Sequence, residues 1–229
     1  MINYIQDSYL SRPLNILPNP GDAVLGEPLN MLLQQLGTIN SLSANQTRLI
    51  SCAFNLSVLK RKEYYLSLGR VNNQIAFLAQ GSMRMFTVDA HGYEYVINIY
   101  AEGCWVYNPE SFAHEQPSYF YIEALEDCCL LTITKHDLDL LKANIPALEQ
   151  FMESNYEAEL ISMQNRMHNR MSMTAQERVS DFAISQPAAT NRFPQTVIAS
   201  YLGIKPETLS RIRKQLTKTQ APTPSNQSI

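Results

Sequence analysis

The sequence predicts an α+β protein in which an N-terminal β-roll, a long connecting helix and a C-terminal helical domain follow one another. Three observations support this prediction. Short alternating strands run between residues 56 and 133, apolar positions repeat at helical spacing after Pro146, and two short amphipathic helices flank Gly203. A chain of 229 residues is long enough for two domains that each bury their own core.

Proline, periodicity and turn chemistry set the predicted boundaries. Residues 1–27, which contain Pro13, Pro18 and Pro20, are expected to form an irregular leader. The remaining boundaries that we predict are 28–143 for the β-roll with flanking helices, 144–172 for the long helix, 173–220 for the C-terminal helical domain and 221–229 for a disordered tail.

The strand-rich region is identified by period-two alternation in residues 75–79, 82–88 and 93–100. Asp89–Gly92 lies between the last two segments and is expected to form a hairpin turn, because glycine tolerates a positive φ there. His91 is accordingly interpreted as a turn residue and not as a ligand. Several short strands at this spacing, without long intervening helices, indicate a sandwich or barrel-like roll.

Capping signals place the helices that follow. Thr134 with Asp137 predicts the start of a short helix, and Pro146 opens one of about 27 residues. Thr174 with Glu177 forms a capping box that starts another helix, which Pro187 ends. The long helix carries an apolar stripe, here defined as Met152, Tyr156, Leu160, Met163 and Met167. Such a stripe can cover the protein's own β-roll, pair with a second copy of the helix, or do both.

Charge is divided unevenly along the chain. Residues 1–163 contain 9 Lys and Arg against 18 Asp and Glu, whereas residues 164–229 contain 9 against 3. The N-terminal part therefore carries a net charge of −9 and the C-terminal part +6, which sum to the overall −3. A polyanion would be attracted to the C-terminal part alone, as is expected of a nucleic-acid-binding protein, although a solvated basic face would look the same.

Other function classes lack support in the sequence. The spacing of Cys52, Cys104, Cys128 and Cys129 matches no zinc, iron–sulfur or redox motif, so we expect buried, reduced thiols and no metal or cofactor. No nucleophile–base pair or phosphate loop indicates an enzyme. Because the sequence has no apolar run of about 18 residues and no signal-like N-terminus, a cytoplasmic protein without a membrane partner is expected.

The segment from Pro194 to Leu216 is predicted to be a helix-turn-helix with its turn at Gly203. Small Ala199 lets the two helices approach, and Pro206 suits the first turn of the second helix. If that helix lies in the major groove, Glu207 can accept from cytosine, Arg211 can bind guanine and Ser210 can pair with either. The full set of candidate DNA-binding residues is Lys205, Glu207, Thr208, Ser210, Arg211, Arg213 and Lys214.

Residues 198–214 and 120–127 resemble the CRP/FNR family of transcription regulators, named for the cyclic-AMP receptor protein and the fumarate-nitrate regulator. The resemblance spans about residues 28–218. It implies a cyclic-nucleotide-binding-like jelly roll, a dimerisation helix formed by the apolar stripe, and a C-terminal winged helix that acts on two-fold operators. Glu207, Ser210 and Arg211 match the Glu-x-x-Ser-Arg pattern of the FNR-like branch, which implies half-sites akin to TTGAT.

Two departures from the family limit the implied effector. The ribose-binding Glu and the phosphate-binding Arg-Ser pair fall here on Asn108, Ser118 and Tyr119, so the effector pocket is degenerate and cyclic AMP is not expected. No cysteine precedes Cys52, which argues against the family's iron–sulfur sensing. Because 13 residues follow Leu216, the wing is expected to be reduced.

Double-stranded DNA and a second copy of the chain are thus the expected partners, with RNA polymerase as a further candidate and an unidentified small molecule as effector. The competing interpretation is a small-molecule sensor or interaction module whose C-terminal helices bind another protein.

Overall fold

The computed structural model describes residues 22–37 and 42–220, which form a β-roll, a long helix and a helical C-terminal domain. The strands are β1 (Asn55–Leu59), β2 (Tyr64–Leu66), β3 (Gln74–Gln80), β4 (Met83–Val88), β5 (Glu94–Tyr100), β6 (Trp105–Val106), β7 (Tyr121–Ala124) and β8 (Cys128–Thr134). The helices of the roll are α1 (Asp22–Gly37), α2 (Ala44–Ala53), α3 (Pro109–His114) and α4 (Lys135–Asn144). The remaining helices are α5 (Pro146–Ser172), α6 (Ala175–Ser185), α7 (Pro187–Arg192), α8 (Gln195–Leu202) and α9 (Pro206–Gln220).

The roll consists of two four-stranded antiparallel sheets with strand orders β1-β8-β3-β6 and β2-β7-β4-β5. Alternation along β3 explains how both of its faces are buried. Ala76 and Leu78 point into the core between the sheets, whereas Ile75 and Phe77 point toward the helices that cover the first sheet. The predicted α+β fold with an N-terminal roll is therefore confirmed.

Local signals in the sequence placed several elements correctly. The hairpin turn between β4 and β5 has Gly92 at φ +84°, and its amide donates to the Asp89 carbonyl at 3.0 Å. Thr134 and Thr174 cap α4 and α6, the latter in the predicted capping box with Glu177. The long helix α5 has the predicted 27 residues.

Two predictions need correction. The predicted leader, residues 1–27, is helical from Asp22 onward, and its first 21 residues lie outside the described residues. Pro28 lies inside α1, where packing of the fully buried Leu32 offsets the hydrogen bond that proline removes. Pro187 ends α6 as predicted, yet it also opens the short helix α7, because proline lacks only an amide that a first turn leaves unpaired.

The four cysteines are free thiols, and they differ in burial. Burial raises the pKa of Cys128 to about 11, and Cys104 and Cys129 are partly buried. The expectation of buried thiols is wrong for Cys52, which is exposed because α2 turns Ile50 and Ala53 inward instead. The predicted tail, residues 221–229, lies outside the described residues. Among the described helices, none is both long and apolar enough to cross a membrane.

Candidate nucleic-acid interface

The turn between α8 and α9 depends on Gly203. Its backbone is left-handed, with φ +66° and ψ 40°, and its amide donates to the Ser200 carbonyl at 3.0 Å. The next amide, that of Ile204, donates to the Ala199 carbonyl at 2.9 Å, which closes the helix end. A Cβ at Gly203 would lie 2.6 Å from Nε of Arg170, a flexible side chain that can move aside, so the positive φ is the reason for glycine here.

Apolar side chains hold α8 against α9. Ile198, Ala199 and Leu209 are fully buried, and Leu202 and Ile212 are 6% and 4% exposed. Fully burying an aliphatic side chain contributes about 1.5–3 kcal/mol, so this contact fixes the angle at which α9 leaves the domain. The predicted packing of the helix-turn-helix is confirmed.

One side of α9 faces solvent with a row of polar residues, and we call it the polar face. Glu207, Arg211 and Lys214 are exposed on it, and Ser210 is half-buried. These four are candidate DNA-binding residues that the helix brings together. The polar face comprises Pro206, Glu207, Ser210, Arg211, Lys214 and Gln215.

The other candidates lie away from the polar face. The Arg213 guanidinium turns toward α7, where Nη2 donates to the Thr190 carbonyl at 2.9 Å. Thr208 is half-buried at the edge of the helix contact, and Lys205 is exposed in the turn before α9. Gln215 also lies on the polar face but was not among the candidate DNA-binding residues. Its position one helical turn after Arg211 could have indicated that it lies on the same side of the helix.

The edge strand β5 of the second sheet carries the helix-turn-helix. Val96 donates its amide to Oγ of Ser200 at 2.9 Å, and that hydroxyl donates to the Glu94 carbonyl at 3.4 Å. A side chain of α8 thus satisfies backbone groups that an edge strand otherwise leaves open. Buried Val96 and Ile99 of β5 join the core of the helical domain, so the two domains share one apolar cluster.

Arg192, the last residue of α7, links the same two domains by charge. Its Nη2 donates to Glu102 and to Glu126 at 2.7 Å each, its Nε donates to Glu126 at 3.2 Å, and its Nη1 also pairs with Glu102. This guanidinium lowers the pKa of Glu102 to about 2 and also lowers that of Glu126. Two carboxylates of the roll therefore stay ionised against one cation of the helical domain.

Two of the residues predicted to line the effector pocket are bonded to each other. Nδ2 of Asn108 donates to Oγ of Ser118 at 2.8 Å, and both residues are nearly fully buried. The Asn108 amide donates to Oδ1 of Asn72 at 2.6 Å, while the Asn72 amide donates to Oγ of Ser111 at 2.9 Å. We call Asn72, Asn108, Ser111 and Ser118 the polar network. Tyr119, the third predicted pocket residue, is 72% exposed and lies outside it.

The apolar stripe of α5 is covered at its start and open beyond it. Leu148 and Phe151 are buried against the roll, and Met152 is partly buried there. Tyr156, Leu160 and Met163 are 47%, 44% and 43% exposed, and Met167 is 66% exposed. The sequence left open whether the apolar stripe covers the β-roll, pairs with a second copy of the helix, or does both. Contact with the roll accounts for the first turns of α5 but not for the exposed residues that follow.

Comparisons with known proteins agree with this architecture. Residues 56–144 match the family "Cyclic nucleotide-binding domain". No curated protein sequence matches the chain.

Solved structures share the fold at low sequence identity. FixK2 from Bradyrhizobium japonicum is 16% identical, with a TM-score of 0.65 over 72% of this chain and 85% of its own. The catabolite activator protein of Thermus thermophilus is 18% identical, with a TM-score of 0.51 over 81% and 87% of the two chains. A protein of Eubacterium rectale assigned to the Crp/Fnr family is 15% identical, with a TM-score of 0.59 over 79% and 86%.

Each of these alignments covers 72% or more of this chain. In each alignment the matched part is longer than the roll alone, so it extends into the helical region. Residues 56–144 therefore match the model of a cyclic nucleotide-binding domain, and the chain shares the fold of these solved structures.

Proposed function

We propose that this chain is a sequence-specific DNA-binding transcription regulator that acts as a cytoplasmic homodimer on a two-fold operator. The observation that supports this most strongly is the polar face of α9. It presents Glu207, Ser210 and Arg211 to solvent on a helix whose opposite side is fixed by buried Leu209 and Ile212. A rigid helix with an exposed polar face is what major-groove recognition needs.

The chemistry of the polar face suits base edges flanked by phosphates. Arg211 can donate two parallel hydrogen bonds to guanine O6 and N7, and Glu207 can accept from cytosine N4. Ser210 lies beside Glu207 on the helix surface, and Lys214 follows one turn after Ser210, where phosphates are closer. Half-sites akin to TTGAT follow from the resemblance of this triplet to the FNR-like branch.

A second copy of the chain is the proposed occupant of the open part of the apolar stripe. Tyr156, Leu160, Met163 and Met167 repeat every three to four residues, so they lie on one side of α5. Pairing of two such stripes would bury them and relate two α9 helices by a two-fold axis. Two-fold symmetry in turn predicts half-sites about 34 Å apart, one turn of DNA.

The polar network argues for an effector other than cyclic AMP. A cyclic phosphate requires a cation where it is buried, whereas Ser118 bonds Asn108 and the Phe120 backbone. Asn108 also caps α3, since Oδ1 accepts from the Glu110 amide at 3.2 Å. A nucleotide would have to break these bonds, and leaving buried polar groups unpaired is costly. We infer a regulator without enzymatic activity, for which RNA polymerase is a candidate partner.

Selection of bound sequences from a random pool of duplexes tests this function. We expect the enriched sequences to contain a two-fold repeat, and affinity for the best duplex to fall steeply between 50 and 200 mM salt as phosphate contacts are screened. Binding that ignores both salt and sequence would contradict the proposal.

Titration calorimetry with cyclic AMP and cyclic GMP tests the effector separately. We expect no heat of binding at micromolar nucleotide, because the side chains at the predicted phosphate and ribose positions are bonded within the polar network. Micromolar binding would show that Asn108 and Ser118 can be displaced, and would refute this part of the proposal alone.

A further inference from the structure

A groove of about 360 Å³ lies between the C-terminal half of α5 and the helical domain. Asn165 and Asn169 line it from α5, and the buried rings of Phe182 and Tyr201 line it from α6 and α8. Its volume is within the range of small-molecule sites, which are about 300–1,000 Å³. It is separate from the polar network in the roll and from the polar face of α9.

Three arginines line this groove, and we call it the arginine groove. Arg166 donates through Nη2 to the Ile97 carbonyl at 2.7 Å, and its Cζ lies 4.3 Å from the centre of the Tyr201 ring. Arg178 donates through Nη1 to the Arg170 carbonyl at 3.0 Å. The Arg170 guanidinium is exposed beside Gly203, at the turn that leads to α9. Arg166 and Arg178 are thus positioned by hydrogen bonds to backbone carbonyls.

The positive charge in the arginine groove is not neutralised by the protein. None of the three arginines forms an ion pair with a carboxylate in the part of the chain that the structure describes. Asp181 is the single carboxylate among the lining residues, and it accepts from Nδ2 of Asn169 at 3.3 Å. Three cations against one anion leave a net charge of +2 in the groove.

A buried donor of Arg178 points independently to a missing partner. Its Nε is inaccessible to solvent and has no acceptor in the structure. Buried polar atoms are nearly always hydrogen-bonded, and a charged donor without an acceptor is especially unfavourable. An anion held in the groove would offset the repulsion among the three guanidinium groups, and it would reach this donor after the Arg178 side chain turns toward the groove.

We propose that the arginine groove binds a small phosphorylated molecule. Guanidinium groups form paired hydrogen bonds with phosphate oxygens, and three of them suit an anion with two or more charges. The apolar wall of Phe182 and the rim residue Ile161 would contact the non-phosphate part of such a molecule. The ligand class is therefore a phosphate ester or pyrophosphate of about the size of a mononucleotide.

We next ask whether a dimer paired through the apolar stripe, or a duplex bound to the polar face, would cover the arginine groove. Ala158, Ser162, Asn165 and Asn169 line it from α5, and at 100° per residue they lie on nearly the opposite side of the helix from the apolar stripe. Pairing through the stripe would not cover them, whereas Arg170 lies beside the stripe by the same count and would stand at the edge of that contact. None of the described residues of α9 lines the groove, so a duplex on the polar face would also leave it open.

Titration calorimetry of the full chain with pyrophosphate, at constant ionic strength, tests the proposal. We expect saturable binding of one pyrophosphate per chain. Arg178→Gln and Arg170→Gln should each weaken it at least about tenfold, since each removes charge-assisted hydrogen bonds. Arg48→Gln, which removes an exposed arginine of α2 in the roll, should leave it unchanged. Thermal unfolding identifies any variant that fails to fold, and Arg170, being exposed, is the safer of the two.

Three results would overturn the proposal: no saturable binding, equal binding in all variants, or equal weakening by Arg48→Gln. Titration with duplex DNA identifies the other source of phosphate. If Arg170→Gln and Arg178→Gln weaken duplex binding while pyrophosphate does not bind, the groove contacts the DNA backbone and the small-molecule proposal is wrong. Because pyrophosphate binding is measured without DNA, its failure leaves the proposed function untouched.

Discussion

Replacing Arg192 with Gln tests how the helical domain is held on the roll. The substitution keeps a polar side chain, although a shorter one, and removes the charge that pairs with Glu102 and Glu126. The two carboxylates would then face each other without a cation. We expect the free energy of unfolding to fall, and the helical domain to open more often.

The size of the effect follows from the pKa of Glu102, which is lowered from 4.5 to about 2 mainly by the hydrogen bond from Arg192 and further by the Gly81 amide. Each pKa unit corresponds to about 1.4 kcal/mol, so complete pairing would contribute about 3 kcal/mol. The side chains of Glu102 and Arg192 are 30% and 31% exposed, and solvent screens their interaction. We therefore expect Arg192→Gln to cost about 1.5 kcal/mol at pH 7.

The pH dependence gives a sharper signature. A carboxyl whose pKa is lowered on folding contributes stability that is complete above its unfolded pKa, about 4.5, and is lost as pH falls toward its folded value. With a folded pKa of about 2, roughly four tenths of the contribution is gone at pH 3.5. Urea unfolding followed by circular dichroism should show the wild type converging on Arg192→Gln as the pH is lowered from 7 to 3.5.

The double variant Arg192→Gln with Glu102→Gln is the matched control, because removing both partners should cost less than the sum of the single changes. Hydrogen exchange in α8 should accelerate in Arg192→Gln if docking is weakened. A loss below about 0.3 kcal/mol, or a loss that is the same at pH 7 and pH 3.5, would refute the argument that this ion pair holds the domains together.

Three further predictions concern the turn, the apolar stripe and the thiols. Gly203→Ala should lower stability by about 1–2 kcal/mol in thermal unfolding, because alanine is strained at a positive φ, and an unchanged melting temperature would count against the turn geometry. Leu160→Glu should convert a dimer to a monomer in light scattering, whereas the exposed Ile161→Glu should not; a dimer that survives Leu160→Glu would place the interface elsewhere. At pH 8, Cys52 should react rapidly with a thiol reagent and Cys128 slowly, since burial raises the pKa of Cys128 to about 11, and equal rates would contradict this burial.

Elements with local signals could be predicted from the sequence. The hairpin turn at Asp89–Gly92 follows from turn chemistry, and the start of α6 follows from the capping box of Thr174 and Glu177. The turn at Gly203 was predictable because the glycine lies between two apolar patterns of helical period. Each of these signals is confined to a few neighbouring residues.

Features that depend on distant residues could not be predicted in this way. Arg192 bonds Glu102 and Glu126, which lie 90 and 66 positions earlier, and nothing near Arg192 in the sequence indicates them. The partnership of Asn72 with Asn108 across 36 positions was hidden for the same reason. Arg213 differs, because its place beside buried Leu209 and Ile212 on the helical wheel would have predicted that it turns inward.

The central claim is that the polar face of α9 recognises a specific DNA sequence, and a comparison of two arginines tests it most directly. Fluorescence anisotropy on the best selected duplex, and on duplexes with single base changes, should show that Arg211→Ala costs about 1–3 kcal/mol and removes the preference at one base pair. Arg213→Ala, whose guanidinium bonds Thr190, should keep that preference. Equal, uniform weakening by both substitutions on every duplex would contradict base recognition by Arg211.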